Sequence, residues 1–182
     1  MTDREKYQPG PANVAKIQKD GEDWTLVLVR ELRHSPEKVW LALTEPEHLR
    51  EWAPYDANGS LGTAGATVHL TTVGAPAPHV TETTVKQADA PRLLEFTWAG
   101  NDTRWELEPI ELGTRLKLFA KIDKRYIAMG AAGWQICFDV LERSLDGTPI
   151  GRFVGMETMK FDGWQRLHAE YANQFGVDLP KW

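Results

Sequence analysis

Five histidines, one cysteine and a set of strand-borne carboxylates are the side chains of this 182-residue chain that could do chemistry. His34, His48, His69, His79 and His168 are scattered, and none forms the HExxH pair that holds zinc on a helix. His69 and His79 fall on segments expected to be neighbouring strands, so they could approach each other; two separate imidazoles is the plainer reading. Cys137 would be a nucleophile only with a histidine beside it. On the apolar face of a helix it reads as a small core residue. Glu82, Glu95, Glu106 and Glu108 lie on expected strands. Alternation sets Glu95 opposite Leu94, Phe96 and Trp98, and sets Glu106 and Glu108 opposite Trp105 and Leu107. These carboxylates then form a solvated outer face, with Arg115 or Lys117 as cross-strand partners of Glu106. A Glu82 turned inward would differ, because a carboxyl in an apolar pocket has a raised pKa and can act as acid or base. There is no glycine-rich phosphate loop and no Gly-x-Ser-x-Gly elbow. The residues predict no catalytic group, no cofactor and no metal.

The elements that would position these groups are short strands and four helices. Segment 24–33 runs apolar and reads as a strand buried largely on both faces. A helix pair follows directly. Ser35 can cap the first helix, Pro36 suits its first turn, and Val39, Trp40 and Leu43 give one apolar face. Pro46 ends that helix, near 36–43, and opens the second, near 46–52, where Leu49 and Trp52 continue the face. Strands are expected at 66–73, 80–87, 93–98, 103–110 and 114–123, joined by turns at 56–59, 74–78, 89–91, 100–102 and 112–113. Such spacing predicts an antiparallel meander. From Ala128 the period changes. Trp134, Cys137, Phe138, Leu141 and Leu145 make one face of a long helix that Gly147 stops. A further helix from Asp162 carries Trp164, Leu167, Tyr171 and Phe175 and ends at Gly176.

The opening motif of Val39-Trp40, Leu43-Thr44-Glu45-Pro46-Glu47, Leu49 and Trp52 resembles the signature of the family named after the activator of the heat-shock protein 90 ATPase. That family belongs to the START / Bet v 1-like (SRPBCC) superfamily. The resemblance continues at Pro91-Arg92-Leu93-Leu94-Glu95-Phe96-Thr97-Trp98 and at Gly133-Trp134, and covers roughly residues 24 to 147. It implies an α+β helix-grip fold, in which a curved antiparallel sheet wraps a long C-terminal helix, here with an extra C-terminal helix. The fold hosts lipid carriers, receptors, cyclases and co-chaperone domains, so it does not by itself fix a function.

The chain is long enough for one domain with a sizeable core. Residues 1–20 read as a loosely ordered leader, 21–147 as the helix-grip domain, and 148–182 as an appendage packed on it. Net charge is −5, which repels phosphate backbones and anionic lipid surfaces. No nucleic-acid or membrane partner is expected, nor a cleaved signal segment. One cysteine fits a reducing cytoplasm. The chain is expected to be a monomer or a homodimer.

The eight tryptophans fill a core or line a cavity. On the family resemblance, the inner face would line a cavity with Val68, Leu70, Leu94, Phe96, Trp98, Trp105, Leu107, Leu116 and Leu118. The long helix would add Trp134, Phe138 and Leu141 from the other side. His69, Thr72, Glu82 and Thr84 are the polar candidates. The expected function is non-catalytic binding of a small hydrophobic molecule. The rivals are an enzyme of the superfamily, cyclase- or hydrolase-like and acting through Glu82 or His69, and a co-chaperone-like interaction module.

Overall fold

The computed structural model describes residues 1–181. The chain opens with one helical turn, α1 (Asp3–Lys6), and a hairpin of β1 (Lys16–Asp20) and β2 (Asp23–Leu32). Residues 1–20, expected to be loose, are held down. Tyr7 is buried and its hydroxyl donates to Asp139 at 2.6 Å. The Arg4 guanidinium donates to the carbonyls of Ile150 and Gly151. β1 pairs with β2 along its whole length. Its single apolar residue, Ile17, hides it from a periodicity search, but the two-residue turn Gly21-Glu22, with Gly21 at φ 60, is a hairpin connection.

Ser35 accepts a hydrogen bond from the Lys38 amide and starts α2 (Pro36–Thr44). Pro46 opens α3 (Pro46–Trp52). The Trp52 indole reaches back and donates to the Ala42 carbonyl at 2.9 Å, which pins the two helices together. The chain then forms β3 (Tyr55–Ala57), β4 (Thr67–Thr72), β5 (His79–Thr84), β6 (Gln87–Asp89), β7 (Leu93–Trp98), β8 (Asn101–Ile110) and β9 (Gly113–Lys121). After a short 3-10 turn come the long α4 (Ile127–Leu145), α5 (Gly155–Met159) and α6 (Asp162–Phe175).

All strand pairs are antiparallel. Six strands run in the order β1-β2-β9-β8-β7-β6, and β3-β4-β5 form a second sheet. The single strand expected at 80–87 is two strands because the backbone changes partners. The Val85 amide donates to Ala66 beside β4, and the next amide, Lys86, donates to Glu95 on β7. Thr83 Oγ1 accepts from the Thr97 amide at 3.1 Å and stitches the sheets together.

α4 lies in the concave side. Leu26, Leu28, Leu94, Phe96, Trp105, Leu116 and Leu118 are buried, and so are Ile136, Phe138, Val140 and Leu141 on the helix. The outer face is charged. Arg104 pairs with Glu95 and Glu106, and Arg115 pairs with Glu31 and Glu108. Glu106 therefore bonds along its own strand rather than to Arg115 or Lys117. Such exposed pairs are screened by water and favour solubility more than stability. α6 packs on α4, where Tyr171 donates to Gln135 Oε1 and the Gln135 amide donates to Pro11. The N-terminal segment, α4 and α6 thus share one polar knot beside the core.

Candidate ligand cavity

Large aromatic rings meet where an internal cavity was expected. Trp134 reaches in from α4 and packs against Trp52 (centroids 6.5 Å apart), Trp105 (5.5 Å), Phe138 (6.4 Å) and Trp98 (5.9 Å). Trp52 and Trp105 meet edge to face at 5.9 Å. Tyr55 fills the next gap against Phe96 and Trp98. These geometries are the offset and edge-on contacts that aromatic quadrupoles favour. Val68, Leu70, Leu94, Phe96, Trp105, Leu107, Leu116, Leu118, Phe138 and Leu141 are accordingly core residues, and none of them borders the cavity described next. Periodicity placed them on the inner side but could not show that the Trp52 and Trp134 indoles occupy the space between.

The cavity lies beyond this plug, between the first half of α4, the β4–β5 connection and the 153–159 segment. Its volume is about 330 Å³. Trp98, Trp134 and Trp164 supply flat walls, with Phe153, Ile122, Met129, Met156 and Met159 around them. Of the expected site residues, Trp98, Trp134 and Thr72 are brought together here. The Trp98 indole donates to Thr72 Oγ1 at 3.2 Å, which fixes the ring. No lining residue is charged.

Two glycine features shape the cavity. On α4, Gly133 leaves the helix face bare and Gly130 makes room for Ile122. A Cβ at Gly133 would meet nothing within 4 Å, whereas one at Gly130 would strike Ile122. At the mouth, Gly74 and Gly155 cross backbone to backbone. A Cβ on Gly155 would sit 2.6 Å from the Gly74 Cα and carbonyl oxygen, and the Met156 amide donates to that oxygen at 3.2 Å. Arg152 anchors the same segment by donating to the Ala53 carbonyl and to Asp56 Oδ1.

His69, Glu82 and Thr84 do not enter. The strand register places His69 beside Glu82, where they face each other at 3.4 Å on the exposed side of β4 and β5. Thr84 is exposed. His79 lies opposite Thr72, three positions along from His69, so the two imidazoles are not paired. The lining holds one titratable group, Cys137. Burial disfavours its thiolate and pushes the thiol up to about 12. His168 packs against Trp164 at 4.7 Å, and burial holds its pKa below the usual imidazole value. A concavity of about 370 Å³ on the outer sheet face is lined by charged side chains, among which Lys86 pairs with Asp102 and Lys121 with Asp23. Most of its charges are therefore already in ion pairs. Among the described residues no group of three or more His, Cys, Asp and Glu could hold a metal ion, and no helix is long and apolar enough to cross a membrane.

A curved antiparallel sheet closed round one long helix defines a helix-grip protein. The match to a family model sharpens this: over residues 33–146 the chain fits the Activator of Hsp90 ATPase homolog 1-like protein family, and it belongs to that family. Among solved structures, a Mesorhizobium loti protein is 26% identical, with 69% of this chain and 99% of that chain covered and a TM-score of 0.59. A conserved protein of unknown function from Enterococcus faecalis is 16% identical, at 89% and 90% coverage and a TM-score of 0.67. The AHSA1-like protein of Aeromonas hydrophila is 19% identical, at 68% and 92% coverage and a TM-score of 0.56. The last two likenesses speak for the fold alone. No curated protein matches the sequence.

Proposed function

We propose that this domain binds a small, uncharged, apolar or amphipathic molecule in the cavity beside α4 and catalyses no reaction on it. The observation that carries this reading is the bare helix face. A glycine inside a helix costs about 1 kcal/mol relative to alanine. α4 has one at position 133, where a side chain would have open space. A filled wall would be the more stable wall; an empty one leaves room for a guest. The uncharged lining supports a neutral guest, because an unpaired charge is expensive to bury. The volume is near the lower end of the ~300–1,000 Å³ typical of small-molecule sites, which suits a compact molecule. The hydroxyls of Thr72 and Thr158 on the lining can orient one polar end. The lone buried thiol suits a reducing, cytoplasmic setting.

Gly133→Leu tests the reading. The new side chain fills the cavity from its floor. Titrated with the neutral fluorophore N-phenyl-1-naphthylamine, the variant is expected to bind about tenfold or more weakly, with a melting midpoint equal to or above wild type. Unchanged affinity would place the probe elsewhere and remove the reading.

A pH series separates binding from catalysis. With Cys137 neutral to well above pH 9, no lining side chain changes charge in the physiological range. Affinity for the neutral probe is expected to stay flat between about pH 6.5 and 9. A sigmoidal or bell-shaped dependence would reveal an ionisable group acting in the site and would favour the enzyme reading.

A further inference from the structure

Every methionine after Met1 lines this one cavity: Met129 on α4, and Met156 and Met159 on α5. They differ in access. Met156 is 50% exposed at the mouth, while Met129 and Met159 are half-buried. The Met156 backbone is held in place, since its amide donates to the Gly74 carbonyl where the two chain segments cross. Met156 thus both borders the cavity and is open to solvent, where a dissolved oxidant can reach it.

We infer that Met156 is an oxidation site whose conversion to the sulfoxide by a hydroperoxide drives an apolar guest out of the cavity. This rests on the ligand-binding reading above. In the chemical step a sulfur lone pair attacks one peroxide oxygen. The S–O bond forms and the O–O bond breaks. Sulfur gives up two electrons, and with hydrogen peroxide the other oxygen leaves as water. A thioether is a good wall for an apolar guest because it is polarizable and nearly non-polar. The sulfoxide is polar and carries a strong acceptor oxygen. If that oxygen stays against the guest it has lost its water. If it turns outward to recover water, the side chain no longer covers the mouth. In both positions the guest is bound more weakly. The one thiol in the cavity does not compete for the oxidant, because Cys137 is buried and its reactive thiolate is suppressed.

The test treats the full chain with hydrogen peroxide, follows the added oxygen on each methionine by peptide mass spectrometry, and titrates N-phenyl-1-naphthylamine. Oxygen is expected on Met156 before Met129 and Met159. Affinity is expected to fall by about tenfold to a hundredfold as Met156 is converted. Methionine sulfoxide reductase should restore it. Met156→Leu, measured against its own untreated affinity, should lose little on the same treatment. Full affinity in protein oxidised at Met156, or an equal loss in treated Met156→Leu, would overturn the inference and leave the binding reading standing. Failure of the untreated wild type to bind the probe would overturn both.

Discussion

Trp134→Ala is expected to destabilise the domain by about 3–5 kcal/mol, the usual cost of truncating a large buried aromatic side chain. Trp134 is the ring on which the interior converges. It touches Trp52 from α3, Trp98 from β7, Trp105 from β8 and Phe138 from its own helix. Removing it leaves a void bordered by three indoles, two of them tied down by hydrogen bonds. Trp52 is bonded to Ala42, and Trp98 to Thr72. The neighbours therefore cannot close the space cheaply. For a chain of this length each kcal/mol shifts the melting midpoint by about 2–4 °C, so a drop of roughly 10 °C is expected by circular dichroism. Trp134→Phe keeps most of the contact area and should lose less than half as much. A loss below about 1 kcal/mol in the alanine variant would mean that the core relaxes into the gap, contrary to close packing.

Gly155→Ala is the second large expected effect, and it acts on the mouth of the cavity. Gly155 has φ +74, and its added Cβ would lie 2.6 Å from the Gly74 Cα and carbonyl oxygen. These are backbone atoms and cannot swing away as a side chain would. The two segments must part, and the Met156 amide then loses its bond to Gly74. The left-handed backbone alone costs an alanine about 1–3 kcal/mol, and the separation adds to that. Stability is expected to fall by at least about 2 kcal/mol, and probe binding is expected to weaken at the same time because the 153–159 wall has moved. Measuring both matters. A variant that is destabilised yet binds the probe with wild-type affinity would show that the crossing supports the fold without shaping the cavity.

Much of the fold was legible in the residues themselves. Ser35-Pro36 and Pro46 mark the ends of the helix pair, and those local signals hold whatever the rest of the chain does. The face that each strand buries followed from alternation at Leu94, Phe96, Trp105, Leu116 and Leu118. Three features were not legible. β1 is polar on all but one residue and draws its order from pairing with β2. The break between β5 and β6 depends on a change of partner at Val85 and Lys86 that no local composition announces. The concavity beside α4 was the third, because rings distant in sequence, Trp52, Trp105 and Trp134, fill the space between the sheet and the long helix. Its walls, Met129, Gly133 and the 153–159 segment, come together only through tertiary packing. One signal was available in advance: two glycines three apart inside an otherwise strong helix pattern, at positions 130 and 133, where a helix would favour almost any other side chain.

The central claim, that the space beside α4 takes an apolar guest, is tested most directly by anomalous diffraction from crystals of the unmodified chain soaked with 1-bromonaphthalene. The expected result is a bromine peak within contact distance of Trp134, Met159 and Gly133, with the ring system held between α4 and the 153–159 segment and Trp98 still bonded to Thr72. A peak confined to the charged outer face of the sheet, or no peak at saturating probe, would contradict the claim and leave the cavity as unused space in the fold.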